Sequence, residues 1–177
     1  TNCDYEAACA GFDAGASHVT HLYNAMAPMH HRAPGPVPAA AERGHVSAEL
    51  ICDGLHVHPA MVRVAYALLG KHRLCLVSDA MAACGMEDGA YTLGAQSVTV
   101  KEGRATLANG TIAGSTADLW SCMKNAVAFG IPLESASRMA STNPLRVIGQ
   151  AQPVILSREK AAHVLCTDEL EILDIYT

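Results

Sequence analysis

Three short apolar runs that end in histidine or aspartate place the strongest constraint on the fold of this 177-residue chain. They read GASHVTHLYNAM at residues 15–26, AELICDGLHVHP at residues 48–59 and LCLVSDAM at residues 74–81. A parallel strand buried on both faces has this appearance, and in α/β barrels the chemistry gathers at the carboxyl ends of such strands. We therefore predict one shared hydrolytic or metal site. The polar residues at or just after the ends of the runs are His21, Asp53, His56, His58 and Asp79.

Composition favours one globular domain and excludes several partners. Half of the residues are hydrophobic, which suits a packed core. The net charge is -5, only 5% of residues are aromatic, and there is no basic stripe, so we expect no nucleic-acid partner. No apolar run reaches the roughly 18 residues of a membrane span, and no signal-peptide pattern opens the chain. We expect a cytoplasmic protein whose seven cysteines, which form no CxxC motif, are reduced thiols.

The rest of the chain predicts alternating strands and helices, then an antiparallel segment. Strand–helix–strand order favours parallel pairing. Residues 28–38 contain several prolines and a glycine, which predict an irregular loop. The Thr- and Val-rich residues 85–114 predict short antiparallel strands with turns at Glu102-Gly103 and Asn109-Gly110. Helices are predicted at residues 4–14, 59–69, 116–129, 132–140 and 143–149. Strands are predicted after Gly15, ending near His21, and at residues 46–52, 74–77, 91–93, 97–100, 105–107, 162–166 and 169–175.

Six motifs occur together in an order that matches one protein family. They are THLYNAM (20–26), HHRAPG (30–35), ICDGLHVHP (51–59), LVSDAM (76–81), NGTIAGS (109–115) and ASTNPLRVIG (140–149). As a set they resemble N-acetylglucosamine-6-phosphate deacetylase, a family of the amidohydrolase superfamily. The resemblance implies an α/β fold, the C-terminal part of a TIM-like (β/α)8 barrel with an inserted β-hairpin region and a fragment of a small β-sandwich. Residues 1–150 would supply barrel strands six to eight, and residues 151–177 would begin the returning sandwich segment.

The resemblance also implies an activity and a cofactor. The family deacetylates N-acetylglucosamine 6-phosphate to glucosamine 6-phosphate and acetate in amino sugar catabolism. A divalent metal ion is implied, with zinc favoured and iron, manganese or cobalt as alternatives. The implied partners are a sugar-phosphate substrate and, in the full-length enzyme, a second copy in a homodimer.

The resemblance assigns roles to individual residues. Asp79 matches the catalytic acid/base, and His21 matches a metal ligand on the sixth strand. The matching substrate-binding residues are Asn24, Ala25, Arg32, His56, Ile112, Ala113 and Gly114. Asp53 is expected to fix the loop after the seventh strand, His18 to be structural, and His58 to be a surface or subunit-contact residue.

Residue type alone leaves structural roles open at these positions. His21 could be a core histidine bonded to a carbonyl, and Asp79 could be a helix-capping or turn aspartate. Arg32 in a polar loop could be a solvated charge, and residues 112–114 could be a turn that leads into a helix cap.

Part of the implied metal site has no match here. In the family a glutamate on the third strand and a histidine on the fifth also hold the metal, so this chain is expected to start just after the second of these. Because a catalytic zinc usually needs three protein ligands, we expect the isolated chain to be inactive. One alternative is a non-catalytic, self-associating fragment. Another is a different amidohydrolase activity such as a deaminase, which Arg32 disfavours because a free base has no phosphate to grip.

Overall fold

A three-stranded parallel sheet forms the centre of the molecule. The computed structural model of the chain describes residues 2–150 and 163–176. The sheet has the order β1-β2-β3, and both of its pairings are parallel, as predicted. These strands span His18–Val19 (β1), Ser47–Ile51 (β2) and Leu74–Val77 (β3). Four of the five β2 residues are buried, which is expected where both faces of a parallel sheet are covered.

Six helices among the described residues cover and flank this sheet. They are Tyr5–Asp13 (α1), Pro36–Glu42 (α2), Pro59–Arg73 (α3), Leu119–Ala128 (α4), Leu133–Ala140 (α5) and Thr142–Val147 (α6). Asp4 caps α1 by accepting the backbone N–H of Ala7, and Asp118 caps α4 by accepting that of Ser121. The main core joins β1–β3 to α1–α5 through fully buried side chains such as Leu22, Leu50 and Met139.

One predicted boundary is wrong, and another needs closer description. The irregular loop expected at residues 28–38 ends early, because α2 begins at Pro36. Proline at the first position of a helix lacks only an N–H that would have no partner there, so it starts the helix rather than breaking it. The helix predicted at residues 59–69 is interrupted where it was expected to end, because Gly70 has a non-helical φ of 69°, and α3 resumes beyond this kink to Arg73.

The predicted antiparallel segment is a separate three-stranded sheet. Its strands are Gly89–Leu93 (β4), Gln96–Lys101 (β5) and Arg104–Leu107 (β6), paired in sequence order. Burial alternates along β5, where Val98 and Val100 face a small second core. The Glu102-Gly103 turn joins β5 to β6 with positive φ at both residues, as a two-residue hairpin requires.

A final antiparallel pair packs beside α4. It consists of His163–Cys166 (β7) and Ile172–Tyr176 (β8), close to the two predicted strands. Residues 151–162, which include residue 162 of the first predicted strand, lie outside the described residues. The indole N–H of Trp120 donates to the carbonyl of Leu170 at 3.0 Å, which ties the strand pair to α4.

Two further predictions concern the thiols and the membrane. All seven cysteines belong to the described residues, and each is a free thiol, as predicted. Burial raises the pKa of the Cys52 thiol to about 12, so this group is a poor nucleophile. Within residues 2–150 and 163–176, no helix combines the length and the apolar character needed to cross a membrane.

Candidate active site

The polar residues predicted to share a site follow three neighbouring parallel strands. His21 lies two residues after β1, Asp53 two residues after β2 and Asp79 two residues after β3. Because parallel strands end at the same side of a sheet, these residues all emerge at one side, here called the carboxyl edge. The opposite side, where the three strands begin, is the amino edge.

A strained turn holds His21 at the carboxyl edge. His21, Tyr23 and Ala25 have φ values of 36°, 75° and 51°, which cost L-residues of order 1 kcal/mol each. The backbone N–H of His21 donates to a Glu49 carboxylate oxygen at 3.1 Å, and its Nδ1 lies 3.1 Å from the carbonyl of Asn24. A carbonyl only accepts, so Nδ1 carries a proton, and in a neutral imidazole Nε2 then keeps its lone pair. Metal-binding histidines characteristically have this arrangement.

Two neighbours of His21 in this turn, Asn24 and Ala25, differ in their contacts. The Asn24 amide donates to the carbonyls of His21 and Leu22 at 3.4 and 3.2 Å, so it braces the turn in this conformation. Ala25 is exposed.

Arg32 lies on an exposed loop beyond this turn. Its guanidinium Nη1 lies 2.8 Å from His31 Nε2, and its backbone N–H donates to His30 Nδ1 at 3.3 Å. His30 and Ala33 bridge the base of the loop. The side chain of Arg32 therefore reaches solvent from a short, internally bonded segment.

Asp53 and His56 form a buried pair after β2. His56 Nδ1 lies 2.6 Å from Asp53 Oδ2, and the two side chains are only 8% and 3% exposed. Asp53 Oδ1 accepts the backbone N–H groups of Leu55 and His56, both at 2.9 Å. Asp53 thus braces the loop after β2, as predicted.

The pKa of Asp53 reflects two opposing effects. Burial raises it, but the hydrogen bonds from His56 and Leu55 outweigh burial and hold the pKa of this carboxyl below its usual range. Asp53 is therefore ionised at neutral pH.

Asp79 is exposed at the end of β3, in a backbone conformation with a φ of 49°. Its carbonyl accepts the N–H of Ser115 at 2.9 Å, and the carbonyl of Ser115 accepts the N–H of Met81 at 2.8 Å. Gly114 packs so closely that a Cβ atom there would lie 3.3 Å from the Asp79 carbonyl. Asp79 is therefore positioned through its backbone, and its carboxylate remains open to solvent.

The segment that docks against Asp79 is an extension of the β4–β6 sheet. Ile112 bridges Thr106, and the N–H of the buried Ala113 donates to the carbonyl of Ala105 at 3.0 Å. Residues 112–114 thus link the second sheet to the end of β3.

Histidines 18 and 58 have structural partners. His18 contacts Ser47 Oγ at 3.0 Å and Glu49 Oε1 at 3.1 Å, which agrees with its expected structural role. His58 caps α3 by accepting the N–H of Ala60 and is exposed.

Sequence reasoning missed Glu49, whose carboxylate joins β1 to β2. One oxygen contacts His18 and the other accepts the N–H of His21, so Glu49 orients the turn that carries the candidate ligand. It is the only charged residue in β2, and a lone carboxylate in a buried strand is the signal that could have found it.

A cavity of about 350 Å³ opens between the His21 turn and the loop after β2. Its polar lining includes Tyr23, His56 and His58, and its apolar lining includes Met26 and Met61. Within the part of the chain that the structure describes, no three His, Cys, Asp or Glu side chains are grouped to hold a metal ion. A metal site here would therefore need ligands beyond those of the described residues.

Comparisons with known proteins point in one direction. No family model matches the sequence. An N-acetylglucosamine-6-phosphate deacetylase of Vibrio furnissii is 43% identical over 150 residues, which is 84% of this chain and 37% of that protein. An N-acetylgalactosamine-6-phosphate deacetylase of Escherichia coli O157:H7 is 42% identical over 141 residues, which is 79% of this chain and 37% of that protein.

A solved structure shows the same likeness in three dimensions. It is a mutant N-acetyl-D-glucosamine-6-phosphate deacetylase from Mycobacterium smegmatis in complex with N-acetyl-D-glucosamine-6-phosphate. The superposition has a TM-score of 0.93 at 40% identity and covers 99% of this chain and 48% of that one. The chain therefore spans less than half the length of these three proteins.

Proposed function

Because this chain belongs to the N-acetylglucosamine-6-phosphate deacetylase family, we propose that it carries part of the site that hydrolyses N-acetylglucosamine 6-phosphate to glucosamine 6-phosphate and acetate. The observation that carries the proposal is that His21, His56 and Asp79 each follow a strand of one parallel sheet at its carboxyl edge. A complete enzyme of this kind would serve amino sugar catabolism in the cytoplasm as a homodimer.

The likeness to longer relatives also supports an architectural proposal. Residues 1–150 would supply strands six to eight of a TIM-like (β/α)8 barrel, with the β4–β6 sheet as an insertion. Residues 151–177 would begin a β-sandwich segment. The open side of β1 and an apolar groove beside it, lined by Phe12, Val19 and Met26, would then face the preceding part of the barrel.

His21 is oriented as a ligand for a divalent metal ion, but it cannot hold such an ion alone. Its Nδ1–H donates to the carbonyl of Asn24, which fixes the ring and leaves Nε2 available. A bound divalent ion lowers the pKa of water and polarises a carbonyl. The remaining ligands must come from outside the described residues, so we propose that this chain alone does not turn over substrate.

The open carboxylate of Asp79 has the freedom that a general base needs. We assign it to accept a proton from the attacking water and then to deliver a proton to the leaving amine. One carboxylate can perform both transfers because they occur in sequence. The backbone bonds of Ser115 to Asp79 and Met81 keep the strand end in place while the carboxylate transfers protons.

The sugar phosphate would be held by residues of the His21 turn, the Arg32 loop, the loop after β2 and residues 112–114. Arg32 can bind the phosphate bidentately, since its loop is exposed and its guanidinium reaches solvent. Asn24 and the backbone of Ala25 would complete the phosphate contacts, although the Asn24 amide must first release a turn carbonyl. His56 would contact the sugar, and the backbone of Ile112, Ala113 and Gly114 would close over it.

The test is acetate release by two proteins. One is the 177-residue chain alone, and the other is the completed enzyme, this chain fused behind the upstream part of the Vibrio furnissii relative. We expect the completed enzyme to release acetate from N-acetylglucosamine 6-phosphate and the chain alone to release none. Turnover by the chain alone would contradict its incompleteness. A folded, metal-bound completed enzyme without turnover would contradict the deacetylase assignment.

Matched histidine variants locate the metal ligand in the completed enzyme. His21→Ala should lose both bound metal and turnover. His45→Ala should retain both, because His45 lies at the amino edge and contacts the carbonyl of Phe12. Metal content by mass spectrometry and acetate release separate the two cases, and equal metal loss in both variants would contradict the assignment of His21.

A self-associating, non-catalytic unit is the second candidate, favoured by the apolar groove beside β1. Sedimentation of the isolated chain decides it. A discrete dimer that persists without metal and binds no sugar phosphate would support this candidate.

A further inference from the structure

The carboxylate of Asp53 is held in a fixed orientation. Its Oδ1 accepts two backbone N–H groups from its own loop, those of Leu55 and His56, and its Oδ2 lies 2.6 Å from His56 Nδ1. Both side chains are almost fully buried. The two carboxylate oxygens therefore cannot swap partners unless the hydrogen bonds that hold the loop break.

This geometry determines which ring nitrogen of His56 carries a proton. An ionised carboxylate only accepts hydrogen bonds, so Nδ1 of His56 must donate. A neutral imidazole has one N–H, and Nε2 is then left with a lone pair. The low pKa of Asp53 supports this arrangement, because the carboxylate stays ionised.

The free nitrogen is available to a ligand. His56 lines the cavity of about 350 Å³ between the His21 turn and the loop after β2. Among residues 2–150 and 163–176, Nε2 of His56 has no hydrogen-bond partner. A lone pair in this position attracts a donor group and repels a carbonyl oxygen.

We propose that Asp53 is a positioning residue that fixes His56 with its proton on Nδ1, so that Nε2 accepts a hydrogen bond from a hydroxyl group of the sugar. The inference rests on the proposed function for the identity of the ligand. The Asp53–His56 pair then contributes to substrate specificity, because a site built to hydrogen-bond a hydroxyl group discriminates against a sugar that lacks it.

The first test is the protonation state of His56 in the 177-residue chain, read from ¹⁵N chemical shifts at a mildly alkaline pH where ordinary histidine is neutral. We expect a protonated Nδ1 and an unprotonated Nε2. In Asp53→Asn, Oδ1 must still accept the two backbone N–H groups, so the amide NH₂ faces Nδ1. Two donors cannot share a hydrogen bond, and the proton should move to Nε2.

Asp118→Asn is the matched control for this substitution. Asp118 also accepts a backbone N–H, that of Ser121, and asparagine caps helices about as well as aspartate. The His56 shifts should not change in this variant. A wild-type chain with the proton on Nε2 overturns the proposal, whether or not the variants fold.

The second test measures hydroxyl recognition by the completed enzyme. The kcat/KM for N-acetylglucosamine 6-phosphate is divided by that for its 3-deoxy or 4-deoxy analogue. Asp53→Asn should reduce one of these ratios by about 3- to 10-fold, the value of one ordinary hydrogen bond. Metal content should stay the same, because Asp53 contacts His56 rather than His21.

The ¹⁵N measurement and the ratios of kcat/KM distinguish a failure of this proposal from a failure of the proposed function. If both ratios are the same in Asp53→Asn as in the wild type, the proposal is overturned. Absence of acetate release from the completed wild-type enzyme would contradict the proposed function, whereas the ¹⁵N measurement on the chain itself decides the protonation of His56.

Discussion

The two edges of the parallel sheet use their charged and polar side chains in opposite ways. At the amino edge, the Arg73 guanidinium donates to backbone carbonyls at 2.8–3.3 Å. These carbonyls belong to Ala40, Ala41, Arg43, Val46, Leu68 and Leu69. At the carboxyl edge, Asp79 and Arg32 are exposed, and His21 and His56 each have one ring nitrogen free of the backbone and carboxylate bonds that orient them. Arg73 at the amino edge thus stabilises the fold, whereas Asp79, Arg32, His21 and His56 at the carboxyl edge keep polar atoms available to a ligand.

Backbone strain is also concentrated at the carboxyl edge. Six non-glycine residues among the described residues have positive φ, and four of them, His21, Tyr23, Ala25 and Asp79, lie at the carboxyl edge. Strained conformations persist where the surrounding structure enforces them and are common at functional sites. The comparison predicts that substitutions at the carboxyl edge reduce activity more than stability, and that the reverse holds at the amino edge.

The largest expected effect is that of Asp79→Asn. Turnover by the completed enzyme should fall by about 10²- to 10⁴-fold, the usual value of a general acid/base. Metal content and the urea midpoint should stay close to those of the wild type, because the carboxylate is exposed. Asp88→Asn, at the hairpin turn of the second sheet, is the control and should keep its turnover. Loss of metal together with activity would instead make Asp79 a ligand.

Arg73→Ala tests the other edge. It should reduce the free energy of unfolding by about 2–4 kcal/mol, since several carbonyls lose a charged donor. Arg63→Ala removes an exposed arginine with one bond to the carbonyl of Phe129 and should cost less than about 1 kcal/mol. Urea unfolding measures both. A selective loss of turnover in Arg73→Ala, with stability intact, would break the distinction between the edges.

Gly114→Ala tests the contact between the second sheet and the end of β3. Gly114 and Gly110 both have positive φ, 92° and 82°, so alanine is strained at either position. Only at Gly114 does a Cβ meet neighbouring atoms, the Asp79 carbonyl at 3.3 Å and Met81 Cβ at 3.4 Å. The loss of stability should therefore exceed that of Gly110→Ala by about 1–3 kcal/mol. Equal losses in urea unfolding would show that this contact is unimportant.

The smallest expected effect is a pH dependence at Asp53. Because its pKa is lowered in the folded state, the ionised carboxylate stabilises the fold above the ordinary aspartate pKa. That contribution is lost as the pH falls through the lowered folded value. The stability difference between the wild type and Asp53→Asn should therefore shrink on acidification, as measured by urea midpoints over a pH series. A constant difference would contradict the role of the ionised carboxylate.

The sequence predicted the strands better than the surroundings of the site residues. Buried runs such as residues 74–77 were found because both faces of a parallel strand must be apolar. The start of α2 at Pro36 was missed because the prolines of residues 28–38 were treated as helix breakers, although the helix predicted at 59–69 also begins with a proline. The pairing of Glu49 with His18 and His21 depends on the register between β1 and β2, which residue order alone does not specify.

A crystal structure of the completed enzyme carrying Asp79→Asn, with N-acetylglucosamine 6-phosphate bound, would show directly whether the carboxyl edge is the substrate site. We expect the acetamido group beside residue 79 at the carboxyl edge and the phosphate within hydrogen-bond distance of the Arg32 guanidinium. The amino edge offers a competing basic cavity of about 440 Å³, lined in part by His45, His72 and Arg146. Substrate bound in that cavity, with the carboxyl edge empty, would contradict the account.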